Sequence, residues 1–278
     1  MIDNGPVWLL VNSASGSNDD EAVERIRSAL TGAGAAPDRI VDIQEGCPTG
    51  EELAAGGVAL AVVFAGDGTT NGIITQANGW SGTVLVLPGG TANLLARELH
   101  GEREADEIAA ELASLRRVRR HGIVSSAGTA LIELLAGPGA AWSDVREGIR
   151  EGDLAQIATS GIEAVKASTT GPLVRITEPP LGKPDGYAGV RLVPQDRGMA
   201  VSGYGAEGFG DYLRHGVALL KRDYREGPHE DFGLLGAVSC RSSDGARIEL
   251  MIDGERRTGL VEERFSLAEL GVTLLASP

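Results

Sequence analysis

The chain has 278 residues, of which 42% are hydrophobic and 23% charged, and its formal net charge is −14. That length and balance describe a globular protein of one large or two ordinary domains, not a disordered chain. The acidic surplus argues against nucleic acid as a partner, and an anionic membrane would be met only through a local basic patch.

Pro6 to Val11 reads as a first strand and runs into a small-residue loop, Asn12 to Asp19. Glu21 to Leu30 follows at helical spacing, with Val23, Ile26 and Leu30 on one face and Gly32 and Gly34 as stops. Arg39 to Ile43 is a short strand and Gly50 to Ala55 a short helix. Val58 to Val63, VALAVV, has the apolar, β-branched character of a strand buried on both faces. Gly66 and Gly68 then flank Asp67, and a helix is expected over Asn71 to Ala77 with Thr69 or Thr70 as N-cap. Thr83 to Leu87 is a further strand; it ends in LPGGTAN, Leu87 to Asn93, before helices at Leu94 to Leu99 and Glu104 to Leu115. Strands alternating with helices predict a mostly parallel, Rossmann-like α/β domain over residues 1–118.

Arg116 to Arg120, RRVRR, is the densest positive cluster. It reads first as an exposed linker or a charge-guarded edge strand, and second as a basic patch for a membrane. Beyond it, short strands are expected at Ile123 to Ser125, Leu173 to Thr177, Gly189 to Val193, Met199 to Ser202, Leu234 to Arg241, Arg247 to Ile252 and Gly271 to Ala276. Helical insertions are expected near Asp144 to Lys166 and Phe209 to Arg225. Residues 119–278 therefore predict an antiparallel β-sandwich domain with helical insertions. Cys47 and Cys240 have no metal or disulfide spacing, which suits a reducing cytoplasm. Val7 to Val11 is too short for a signal peptide, and no stretch approaches the ~20 apolar residues of a membrane span.

Three loops that end strands carry small and amide residues: Asn12 to Gly16, Gly66 to Asn71, and Gly89 to Asn93. In a parallel sheet they gather at one edge, where backbone N–H groups and glycines receive phosphate. They contain no lysine or arginine, and no Walker loop is present. Asp67 among such donors makes sense if a cation or a substrate hydroxyl comes too. Gly203 to Gly208, GYGAEG, has dinucleotide-loop spacing but no surrounding βαβ unit. Asp253-Gly254 is a hairpin signal, and Glu255 beside it is either an ordinary turn residue or a base next to a bound phosphate.

FAGDGTTNG at Phe64 to Gly72 resembles the GGDGT-x-N signature of the diacylglycerol kinase and lipid kinase catalytic domain family, within the NAD kinase-like superfamily. NSASG at Asn12 to Gly16, LPGGTANLLAREL at Leu87 to Leu99 and IDGE at Ile252 to Glu255 resemble its other motifs, in family order. The resemblance implies an α/β nucleotide-binding domain followed by a β-sandwich, with the site in the cleft between them. It also implies transfer of the ATP γ-phosphoryl group to a lipid hydroxyl with Mg²⁺, on a diacylglycerol- or sphingolipid-like acceptor. By position, Asn12, Ser13, Ala14, Ser15, Gly16, Gly66, Asp67, Gly68, Thr69, Asn71, Gly90, Thr91 and Asn93 would line the nucleotide. Asp67 would serve the metal and the reacting phosphate, and Glu255 would be the general base. Departures are Ala65 for the first glycine, Ser13 for a proline, and Gly72 where an acidic residue often stands.

The expected protein is thus cytoplasmic, with peripheral contact at the inner membrane face and a homodimer left open. Two other classes stay open: a catalytically weak nucleotide- or lipid-binding protein on the same scaffold, and a kinase of a soluble metabolite.

Overall fold

A computed structural model describes residues 5–13, 20–138, 171–205 and 229–278. The two expected helical insertions, and Ala14, Ser15 and Gly16, lie outside the described residues. The chain divides into two compact units, 1–120 with 269–278, and 121–268.

The first unit alternates as its periodicity predicts. Its elements are β1 (Val7–Val11), α1 (Asp20–Gly32), β2 (Arg39–Asp42), α2 (Gly50–Ala55), β3 (Leu60–Ala65), α3 (Asp67–Gln76), β4 (Thr83–Pro88), α4 (Leu94–His100), α5 (Ala105–Ala110) and β5 (Arg116–Val118). Strands β2, β1, β3 and β4 lie side by side in that order, all parallel. All six residues of β3 are buried, because it is central and covered on both faces. Leu60, Val62 and Phe64 pack in one apolar cluster with Ile26 and Leu30 of α1 and Ile108 of α5. Each such side chain contributes roughly 1.5–3 kcal/mol by leaving water. On α1 the buried face is Ala22, Ile26 and Leu30, with Val23 at its border. A capping box between Thr49 and Glu52 starts α2.

The second unit is built from consecutive strands, as expected. They are β6 (His121–Ser125), β7 (Gly128–Ala130), β8 (Leu134–Ala136), β9 (Val174–Glu178), β10 (Pro180–Leu181), β11 (Gly189–Gln195), β12 (Gly198–Tyr204), β13 (His229–Leu235), β14 (Ala237–Ser242), β15 (Glu249–Ile252), β16 (Glu255–Thr258) and β17 (Glu262–Glu269). Two sheets form, ordered β10-β9-β14-β17-β6-β7 and β13-β12-β11-β8-β15-β16, and their described pairs are antiparallel. Val238, Cys240 and Phe265 of one and Val190, Leu192 and Leu250 of the other share a single apolar cluster. The stretch read as one strand over Leu234 to Arg241 is two strands in different sheets. The chain turns between them at Gly236.

The last strand, β18 (Thr273–Ala276), departs from the expected domain division. It returns to the first sheet, parallel to β4 and antiparallel to β5. A parallel neighbour needs a long crossover, and here the crossover is the whole second unit. RRVRR therefore supplies the antiparallel edge strand β5. Arg119 pairs with Glu269 and Arg120 with Glu98, so at least these two arginines of the cluster are neutralised locally.

β18 is fastened at its end by α4. Ser277 N–H donates to Leu99 O at 3.0 Å, and the buried His100 ring meets the Ser277 hydroxyl at 3.0 Å. Burial, helped by the positive charge of Arg103, pushes the His100 imidazole down to about 4. The unfolded chain binds a proton near the ordinary value while the folded chain refuses it until about 4. Stability from this site is therefore full at neutral pH and falls as pH drops across that window. We expect urea midpoints between pH 7 and pH 4 to fall more steeply for the wild type than for His100→Asn. Parallel curves would remove His100 from this fastening.

Candidate functional site

The loops after β1, β3 and β4 are tied to one another in the first unit. The helix after β3 begins at Asp67, four residues before the expected start, with Gly66 as an extended N-cap (φ −73°, ψ 169°). Gly66 has no side chain to announce a cap. Thr70 N–H nevertheless donates to Gly66 O at 2.9 Å, closing the first turn. Asp67 at the first helical position also suits the positive end of the helix dipole. Asp67, Gly68 and Thr69 thus form a turn whose amides have no partner inside the helix. Asn71 lies one turn on, where its Oδ1 accepts from the Thr75 hydroxyl at 3.3 Å.

Asp67 reaches across to the next loop. Its Oδ1 accepts from Leu94 N–H at 2.6 Å and so caps α4 from another helix. That cap is needed because Asn93, the residue at the N-cap position, is left-handed (φ 52°) and makes no side-chain cap bond. Its amide folds back instead: Gly90 N–H donates to Asn93 Oδ1 at 2.7 Å, and Asn93 Nδ2 donates to Gly90 O at 2.8 Å. Asn93 therefore shapes its loop, while Thr91 at the tip is exposed.

The glycines let the loops approach each other. A Cβ on Gly90 would lie 2.6 Å from Gly66 Cα, and one on Gly89 2.5 Å from Ala65 N. Both obstacles are backbone. We expect Gly90→Ala to cost about 1–3 kcal/mol of stability, as other overpacked sites do. A Cβ on Gly72, inside α3, would meet nothing within 4 Å, and Gly72→Ala should gain roughly 0.5–1 kcal/mol from helix propensity. Denaturant titration of the two variants checks the pair; equal effects would contradict this packing.

The first loop joins through Asn12. Asn12 Nδ2 donates to Thr69 Oγ1 at 3.2 Å, and its Oδ1 accepts from Gln44 Nε2 at 2.8 Å. Asp42, at the end of β2, accepts from Ser13 N–H at 3.4 Å and Gln44 N–H at 3.0 Å. The Ser13 hydroxyl, then the Gln44 amide, hold the Asp42 carboxyl below its ordinary range. Gln44 and Asp42 were not foreseen from sequence; only the small-residue loop beside them hinted at a partner.

Glu255 lies in the other unit, on the β15–β16 hairpin. Asp253 and Gly254 both have positive φ, 48° and 91°, as the tightest hairpin turns require. Asp253 is more than a turn residue. It is buried, and its carboxylate accepts from Leu131, Ile132 and Glu133 N–H at 2.8, 2.9 and 3.0 Å. This holds Glu133, whose carboxylate pairs with Arg191 at 2.6 Å. Glu255 itself is half exposed and accepts from Arg257 at 2.5 Å.

Among the described residues no cluster of three His, Cys, Asp or Glu side chains could hold a metal. Asp67 offers one carboxylate among amides and hydroxyls. That set suits a Mg²⁺ ion that takes its other ligands from phosphate and water, not an all-protein cage.

The sequence profile of the diacylglycerol kinase catalytic domain matches residues 6–125. A search of curated proteins finds no match. Among solved structures, the chain is similar to a diacylglycerol kinase from Bacillus anthracis str. Sterne, with 18% identity and a TM-score of 0.69, over 98% of this chain and 97% of that one. It is also similar to yeast NADH kinase complexed with NADH, at 11% identity and a TM-score of 0.53, over 99% of this chain and 84% of the other. The motifs at Asn12 to Gly16, Phe64 to Gly72 and Leu87 to Leu99 lie within the matched residues, and there the family resemblance is borne out, while Ile252 to Glu255 lies outside them. The two structural likenesses show a shared fold.

Proposed function

We propose that the protein is an ATP-dependent lipid kinase on a Rossmann-like α/β domain and a β-sandwich domain, a reading supported by the match of residues 6–125 to the diacylglycerol kinase catalytic domain. The observation that carries this reading is the knot of loops at the ends of β1, β3 and β4. Asn12 is bonded to Thr69, Asp67 to Leu94, and Gly66 packs on Gly90. Phosphoryl transfer needs positioned donors and charge neutralisation more than covalent help. First-turn amides at Gly68 and Thr69 would take phosphate oxygens, with Ser13, Asn71 and Thr91 around them. Asp67 would hold Mg²⁺, which when bound neutralises phosphate charge.

In the reaction, the oxygen of a lipid hydroxyl forms a bond to the γ-phosphorus. The bond from that phosphorus to the β–γ bridging oxygen breaks, and ADP leaves. The hydroxyl proton passes to the Glu255 carboxylate. We place the lipid encounter at a membrane surface by peripheral contact; among the described residues no helix is long and apolar enough to cross a membrane.

The departures from the family signature do not favour a catalytically weak reading. Ala65 is buried in β3, so its methyl group is part of the core and not of the loop surface. Gly72 leaves open space without displacing its helix. The test is thermal unfolding with Mg-ATP, followed by ATP turnover with and without lipid extract. At ~100 times its Kd, Mg-ATP should stabilise the fold by about 2.7 kcal/mol. Lipid-dependent turnover supports the proposal. Stabilisation without turnover indicates a binding protein, and lipid-independent phosphorylation of a soluble acceptor indicates a metabolite kinase.

A further inference from the structure

The loops proposed to hold ATP contain no lysine, arginine or histidine at Asn12 to Gly16, Gly66 to Asn71 or Gly89 to Asn93. Phosphate must then be met by neutral donors, so the direction of each hydroxyl matters. A hydroxyl that turns a lone pair toward a phosphate oxygen repels it; one that turns its hydrogen attracts it. Thr69 is the hydroxyl in the first turn of α3, and its direction is governed by its neighbours.

The chain Gln44–Asn12–Thr69 is a relay of two amides and a hydroxyl, with links of 2.8 and 3.2 Å. Such a relay has two polarities. In one, Gln44 donates to Asn12, Asn12 donates to Thr69, and the Thr69 hydrogen is left to be given outward. In the other, Thr69 donates to Asn12, Asn12 donates to Gln44, and only lone pairs face outward. The structure holds the first. Its base is anchored, because Asp42 accepts the Gln44 backbone N–H and the Ser13 N–H from the neighbouring loop.

We propose that Gln44 is a positioning residue for the nucleotide, setting the polarity of this relay so that Thr69 donates its hydroxyl hydrogen to a phosphate oxygen of ATP. The inference rests on the nucleotide-binding reading above, and it adds a residue outside the motif loops. Gln44 needs no contact with the ligand. It acts through Asn12, whose own amide is committed at both ends of the relay.

The test exploits an isosteric reversal. Glu at position 44 can only accept, so Gln44→Glu turns the relay round and points the Thr69 hydrogen inward. It also adds a charge, which a second background separates out. Mg-ATP affinity is measured by calorimetry for the wild type, Gln44→Glu, Thr69→Val, and the double variant, with unfolding midpoints to check the fold. Gln44→Glu should weaken Mg-ATP about tenfold in the wild-type background, roughly 1.4 kcal/mol, and far less where Thr69 is already Val. Equal weakening in both backgrounds would mean charge alone and would overturn the proposal, as would no weakening in either. If Gln44→Glu does not fold, Gln44→Met removes the donor without charge, and its effect must likewise vanish beside Thr69→Val. Absence of Mg-ATP binding by the wild type would defeat the nucleotide reading itself, and this inference with it. Wild-type binding that Gln44 substitutions leave untouched would defeat the inference alone.

Discussion

Replacing Asp67 with Asn is expected to lower ATP-dependent phosphorylation by at least ~10²-fold, because the anionic ligand that would hold Mg²⁺ is lost, and with it the cation that would neutralise charge on the transferred phosphoryl group. The fold should survive. An Asn side-chain oxygen can still accept from Leu94 N–H, the bond that caps α4 at 2.6 Å. Asp67→Ala removes that acceptor as well, and should cost a further ~0.5–2 kcal/mol of stability, the worth of a helix cap. The two variants therefore separate roles that one side chain combines. Both should be nearly inactive, and only the alanine should unfold early. Full turnover in Asp67→Asn would take the Asp67 charge out of the chemistry.

The second large effect is expected at Glu255. A positioned general base contributes ~10²–10⁴-fold, so Glu255→Gln should reduce turnover by that factor. Affinity for Mg-ATP should stay close to wild type, since the proposed role is toward the acceptor hydroxyl. In the structure Glu255 pairs with Arg257, and both side chains are about half exposed, 44% and 51%. An ion pair in water contributes little, so the change in stability should stay within about 0.5 kcal/mol. An ordinary hairpin residue would show the same small stability change with unaltered turnover. The kinetic measurement, made beside a binding measurement, decides between these.

Much of this was legible in the sequence because local and global signals agree. The all-apolar β3, the capping box of α2 and the Asp-Gly turn each carry their own physical signature. The site was half legible. The three loops could be placed at one sheet edge from strand–helix alternation, but not the bonds that tie them. The start of α3 was missed because Gly66 caps without a side chain and Gly-Thr-Thr-Asn is a poor helix opening by propensity. The return of β18 to the first sheet was not legible either, since a Leu-Leu-Ala strand reads the same in any sheet. Asp253 illustrates the remaining limit. A turn-forming Asp and a buried Asp holding three backbone amides have the same local sequence, and the amides come from residues 131–133, more than a hundred positions away.

The most direct measurement is transfer of label from γ-³²P-ATP to organic-extractable lipid, with purified protein, Mg²⁺ and vesicles doped with diacylglycerol or a sphingoid base. The account predicts labelled lipid with the wild type in at least one vesicle, and its loss with both Asp67→Asn and Glu255→Gln. Mg-ATP binding without labelled lipid in either vesicle, or labelling that both variants retain, would contradict it.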